Sequence, residues 1–155
     1  MGLRDEYTDH FERQFKTLSG IYTTVNERAW RYEDVKIKGV WQWTYHTLET
    51  IEFYMGDRTT FDWGNHFGVD WEDHGAKASP EPKAMALYQE MIREKTLTEL
   101  AHKEDSSFSQ TETVFAWTGA TYAGRLMYLL RHTQQHIGDI NQVLRLSECK
   151  TLEWH

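Results

Sequence analysis

The stretch LMYLLRHTQQHIGDINQVL, residues 126–144, carries the clearest pattern in this 155-residue sequence. Its core-type side chains recur mostly at intervals of three and four residues: Leu126, Leu129, Leu130, Thr133, Ile137, Ile140 and Leu144. That spacing places them on one face of an α-helix. We therefore predict a helix from about Thr121 to Leu146 whose apolar face packs into a core.

The same periodicity predicts three further helices upstream of this one. The first extends from about Leu3 to Arg28, the second from about Val35 to Met55, and the third from about Ser79 to the region 102–105. Ser79 is a favourable N-cap for the third helix, and the prolines that follow it suit a first turn. No segment alternates as a β-strand over any length.

Together these segments predict an all-α fold, a four-helix bundle that forms a single domain over residues 1–155. Long connections follow the second helix, over residues 57–82, and the third, over residues 106–119. Connections of this length in a small domain are often functional. The pattern leaves open whether the connection 57–82 covers a site.

Composition and charge exclude several classes of partner. Seventeen Lys and Arg stand against 24 Asp and Glu, a net charge of −7, and no basic run suggests binding to nucleic acid. No segment approaches the roughly 18 apolar residues of a membrane span. The single cysteine, Cys149, cannot form an internal disulfide. We expect a cytoplasmic protein that binds neither nucleic acid nor membrane.

Histidines supply the candidate chemistry. His132 and His136 are four residues apart, so they stack on one helix face, where two imidazoles can bind one metal ion. By spacing alone, a pair of partly buried, hydrogen-bonded histidines is the simpler interpretation. A catalytic zinc-type site usually takes three protein ligands. His46, in the middle of the second helix, is the best third candidate, although by itself a core histidine is the simpler interpretation.

The other histidines are assigned elsewhere. Three are expected at the surface: His10, His102 and His155. His66 and His74 flank acidic residues in the segment 70–73, where a second, loop-borne metal site is conceivable. A solvated acidic loop is the favoured interpretation of that segment.

His46 in the second helix and His132-x-x-x-His136 followed by Gly138 in the last resemble the DinB-like superfamily, which includes the YfiT-type metal-dependent hydrolases. The resemblance covers nearly the whole chain: helix order, size, the long connection after the second helix, and the ending at residues 140–145. Members are four-helix bundles in which three histidines from these two helices bind a divalent metal, often nickel or zinc. The resemblance implies His46, His132 and His136 as the ligands here.

Two positions depart from the pattern of that family. Many members have His-x-x-His-His-x-Gly-Gln in the last helix, whereas this chain has Gln135 in place of the middle histidine and Asp139 in place of the glutamine. Neither position is one of the implied ligands. The resemblance also allows a homodimer.

A divalent ion on three neutral imidazoles keeps its positive charge and acts as a Lewis acid. Two reactions are then open, hydrolysis or transfer of a small thiol, with a small molecule as substrate. The alternative is a non-catalytic bundle that binds a metal or a small ligand. A fourth protein ligand would indicate such a closed site, and the side chains that could supply it are His10, Glu49 and Asp139.

Glu49 and Asp139 are also candidates for proton transfer or for orienting a ligand, because each lies three residues from a candidate ligand histidine. Ordinary surface carboxylates are the simpler interpretation of both. Four aromatic side chains could line a pocket, although a place in the core is the simpler interpretation: Trp41, Trp43, Tyr45 and Tyr128.

Overall fold

The computed structural model describes residues 2–73 and 79–155, and this part of the chain is all-helical, as predicted. Its α-helices are α1 (Leu3–Ser19), α2 (Ile21–Thr24), α3 (Glu27–Trp30), α4 (Val40–Met55), α5 (Pro82–Ala101) and α6 (Tyr122–Leu146). A 3₁₀ helix follows α5 at Asp105–Ser109. Among the described residues, no helix has both the length and the apolar character that a membrane crossing requires.

The four long helices α1, α4, α5 and α6 enclose one core. Helix α4 lies against both α5 and α6, and α1 closes the other side against the same two helices. Helix α6 buries the apolar face predicted for it, including Leu126, Leu129, Ile137 and Ile140. The packing sets α4 and α6 side by side, so side chains from the middle of both helices can meet.

The first predicted helix, from about Leu3 to Arg28, is wrong as a single element and is instead three helices, α1, α2 and α3. The backbone is extended at Val25 and Asn26. The Asn26 side-chain oxygen accepts a hydrogen bond from the Ala29 amide at 2.8 Å, and its nitrogen donates to the Ser147 carbonyl at 3.1 Å. An asparagine that caps a new helix competes with continuation of the old one.

Helix α4 begins at Val40 rather than near Val35. Gly39 precedes it in extended conformation, and its amide donates to the side-chain oxygen of Gln42 at 2.8 Å, which fixes the start of the helix. A Cβ at Gly39 would lie 2.7 Å from the Trp30 carbonyl oxygen, so only glycine fits this close approach. The bounds of α5 and α6 agree with the predicted third and fourth helices to within a few residues.

A buried ion pair ties the second long connection to the helices. The Arg125 guanidinium donates to the Glu112 carboxylate at 2.7 Å and to the Gly56 carbonyl at 3.0 Å. Glu112 also accepts the amides of Val114 and Phe115. Burial opposes ionisation of Glu112, but these hydrogen bonds outweigh it and hold the carboxyl pKa below its usual value. The pair joins the connection and α6 to the C-terminal end of α4.

Candidate metal centre

Three histidines from two helices converge on one point in the structure. Helix α4 supplies His46, and α6 supplies His132 and His136. One ring nitrogen from each lies within 4.8 Å of the other two, and the Nε2 atoms of His132 and His136 are 3.2 Å apart. These are the three residues that the resemblance implies as ligands.

The spacing and the polar atoms of the group fit a divalent ion. Zinc lies about 2.0–2.1 Å from imidazole nitrogen, so two nitrogens on one ion are at most about 4.2 Å apart. The His132–His136 separation already satisfies this limit, and no pair exceeds it by more than about 0.6 Å. Nδ1 of His46 is buried and has no hydrogen-bond partner in residues 2–73 and 79–155.

The local environment keeps two of the imidazoles neutral. Burial lowers the pKa of His46 to about 3 and that of His132 to about 4. Part of each shift comes from His136, because two neighbouring imidazolium ions would repel each other. Metal ligation requires neutral imidazole. At neutral pH these two ring nitrogens therefore need not lose a proton before binding an ion.

Asp139 holds the third imidazole. Its Oδ2 lies 2.9 Å from Nδ1 of His136, which is one helical turn away and 6% exposed. When Nδ1–H donates to this carboxylate, the lone pair remains on Nε2, the nitrogen that faces His132. Asp139 therefore occupies the position expected of a carboxylate that orients a ligand.

Glu49, the other candidate carboxylate, binds the connection after α4 instead. Its side chain is 1% exposed, and Oε1 accepts the Gly64 amide at 2.6 Å. Burial raises the pKa of Glu49 to about 7, although hydrogen bonds from Gly64 and Tyr45 favour the ionised form. The contact with the connection therefore explains the presence of a buried carboxylate at position 49.

A ladder of three polar side chains on one face of α4 holds that connection against the helix. The pairs are Gln42 with the Trp71 carbonyl at 2.8 Å, Tyr45 with the Phe67 amide at 3.3 Å, and Glu49 with the Gly64 amide at 2.6 Å. The three anchors are spaced at three and four residues, so they share a face. The connection therefore runs antiparallel to α4.

This ladder brings Trp71 to the histidines, a contact that the sequence did not predict. The Trp71 ring centre lies 4.0 Å from that of His46. Trp43 stacks on His136 at 4.8 Å, with ring planes 21° apart. The two indoles pack against two of the three imidazoles and restrict their rotation. The spacing of the ladder anchors in α4 was the only sequence signal for this arrangement.

The remaining histidines lie apart from this group. His10 and His102 are exposed, as predicted, and His155 is partly exposed. His66 is exposed and stacks on Tyr88 with ring centres 4.0 Å apart. His74, the other histidine of the suggested loop-borne site, lies outside the described residues.

Comparison with known proteins identifies no relative. No protein-family model matches the sequence, and neither a curated protein nor a solved structure matches it. The DinB-like resemblance therefore remains a prediction from the histidine pattern and the helix order.

We predict that the metal-free protein loses stability as the pH falls from about 6.5 toward 4. In the unfolded chain His46 and His132 titrate near the ordinary histidine pKa of about 6.5, whereas folding lowers these pKa values to about 3 and 4. The unfolded state then binds more protons, so the free energy of unfolding falls by at most about 1.4 kcal/mol per pH unit for each histidine. Thermal unfolding in EDTA at several pH values measures this.

The His46→Gln/His132→Gln variant should show a shallower decline across the same pH range, because neither glutamine titrates. The exposed pair His10→Gln/His102→Gln is the matched control and should follow the unmodified protein. If the unmodified protein and the His46→Gln/His132→Gln variant lose stability in parallel as the pH falls, the assignment of His46 and His132 as buried and neutral is contradicted.

Proposed function

We propose that this chain is a DinB-like metal-dependent enzyme that holds a divalent ion, nickel or zinc, on His46, His132 and His136. The observation that carries the proposal is the convergence of these imidazoles from α4 and α6. Four long helices around one core support the DinB-like four-helix bundle.

The three side chains suit a catalytic ion because they add no negative charge to it. When bound, such an ion acts as a Lewis acid that can acidify water or bind a thiolate. Asp139 holds His136 in the tautomer whose Nε2 is free for coordination, and the indoles of Trp43 and Trp71 keep the imidazoles in place. The proposed reaction on a small molecule is therefore hydrolysis or the transfer of a low-molecular-weight thiol.

The three side chains that could supply a fourth ligand and close the site are placed elsewhere. Glu49 is committed to the Gly64 amide, and Asp139 to His136. His10 is exposed on α1. These placements favour an enzyme with an open coordination position over a closed structural site. A cytoplasmic location and a homodimer remain predictions from the sequence.

We predict that the purified protein binds about one divalent ion per chain and that the His132→Ala/His136→Ala variant does not. The variant removes two of three ligands, and a single imidazole holds an ion weakly. Elemental analysis after dialysis against nickel or zinc and then against buffer measures the stoichiometry. Circular dichroism checks that the variant remains helical.

The variant His10→Ala/His102→Ala is the control, because it removes two exposed histidines and should keep the full metal content. Stoichiometric metal in His132→Ala/His136→Ala would exclude this site. Absence of nickel and zinc from the unmodified protein after loading would overturn the proposal itself.

We predict that Asp139→Ala weakens metal binding by about 10- to 100-fold, because the loss of a carboxylate that orients a ligand histidine has that typical effect. Asp139→Asn keeps a hydrogen-bond acceptor and should retain more affinity than the alanine variant. Competition with a chromophoric chelator gives the dissociation constants. Glu153→Gln, an exposed carboxyl change in the C-terminal tail, should have no effect. An unchanged affinity in Asp139→Ala would show that His136 needs no such support.

A further inference from the structure

The connection after α4 reaches the histidines through one side chain, Trp71, at the end of a stretch here called the docked segment, residues 64–71. The Trp71 ring centre lies 4.0 Å from that of His46 and 5.9 Å from that of Trp43. His46 is the lone candidate ligand on α4, whereas α6 supplies two. The orientation of the His46 ring therefore depends on what packs against it.

Residues around the start of α4 hold Trp71 in this position. Gln42 donates to the Trp71 carbonyl at 2.8 Å, and its other side-chain atom accepts the Gly39 amide. The Lys38 ammonium lies 4.8 Å from the Trp71 ring centre and donates to the Glu72 carbonyl at 3.5 Å. Gln42 is only 4% exposed, so water competes little for its hydrogen bonds. Both the ring and the backbone of Trp71 are thus held from one helix end.

The other two anchors of the ladder fix the rest of the docked segment. Tyr45 accepts the Phe67 amide, and Glu49 accepts the Gly64 amide. The three anchors belong to a single helix, so they hold the segment to α4 as one unit. Separation of the segment from α4 would therefore carry the Trp71 ring away from the histidines.

We propose that docking of this segment on α4 is coupled to metal binding at His46, His132 and His136, and that the segment acts as a latch that slows release of the ion. While the segment is docked, Trp71 keeps the His46 ring directed toward the pair on α6. This inference rests on the proposed metal function and assigns the connection a role in regulating it. Because such coupling is reciprocal, a bound ion in turn favours the docked segment.

Trp71→Ala should weaken zinc binding and speed zinc release by about tenfold, because it removes the contact with His46 and leaves all three ligands in place. Gln42→Glu keeps the acceptor for the Gly39 amide but loses the donor to Trp71, and an effect of about threefold to tenfold is expected. A carboxylate near a cation strengthens its binding, so the added charge does not explain a loss. Competition with a chromophoric chelator gives the dissociation constant, and rapid mixing with excess chelator gives the release rate.

The double variant Trp71→Ala/Gln42→Glu should bind zinc no more weakly than Trp71→Ala alone, because Gln42 acts on the site through Trp71. Two controls make the same changes elsewhere and should alter neither constant. Trp154→Ala removes an indole that is 75% exposed in the C-terminal tail, and Gln142→Glu adds a carboxylate at an exposed position of α6. Circular dichroism checks that each variant remains helical.

Hydrogen exchange in the unmodified protein tests the reciprocal effect without any substitution. Zinc should slow exchange of the Gly64 and Phe67 amides by about tenfold, because it favours the docked segment. The Val114 amide, which donates to Glu112 in the second long connection, is the reference and should exchange at an unchanged rate. In Trp71→Ala the slowing by zinc should be lost.

Two results would overturn this inference and leave the metal site intact. The first is unchanged zinc affinity and release in both Trp71→Ala and Gln42→Glu, and the second is exchange at Gly64 and Phe67 that does not respond to bound zinc. Failure of the metal proposal gives a different result, since elemental analysis would then find no zinc in the loaded, unmodified protein. That result would overturn both proposals.

Discussion

The packing of α4 against α6 is the constraint on which the proposed site depends. Each helix alone presents too few ligands, a single histidine on α4 and a pair on α6. Because the apolar face of α6 is buried in the core, its rotation about its own axis is fixed, and His132 and His136 are carried toward α4. The convergence of the three histidines is thus a consequence of how the core is filled.

Helix α4 presents its functional side chains on one broad face. His46 meets the α6 pair, and Gln42, Tyr45 and Glu49, all within one turn of His46, hold the backbone of the connection. The connection returns along the helix and sets Trp71 on His46. The polar side chains of α4 therefore fix the connection that sets an indole against one of the imidazoles.

The features that could be predicted from the sequence are those with a local signal. The apolar spacing extends from Leu126 to Leu144 of the 25-residue helix α6, and the predicted bounds of that helix are accurate for that reason. The break at Asn26 was missed because the apolar spacing continues through it. The break itself depends on one side chain, that of Asn26, which caps the start of α3. Trp71 was missed because its position depends on the fold of the whole connection.

His46 is intermediate between the features that have a local sequence signal and those that have none. A lone histidine in a helix has no local signature that separates a ligand from a core residue. The selection of His46 rested on its position in the middle of the second helix and on the DinB-like resemblance. The structure adds what the spacing could not supply, namely burial that keeps the imidazole neutral and proximity to the α6 pair. Glu49 is the opposite case. Its position three residues from His46 suggested a role beside that histidine, whereas in the structure its carboxylate binds the Gly64 amide.

The most direct measurement is metal K-edge X-ray absorption of the protein loaded with nickel or zinc. If the imidazoles of α4 and α6 share one ion, the spectrum will show three imidazole nitrogens, at about 2.0–2.1 Å for zinc. The His46→Gln variant will lose one of the three. A coordination shell of oxygen atoms alone, or a shell that His46→Gln leaves unchanged, would contradict the account.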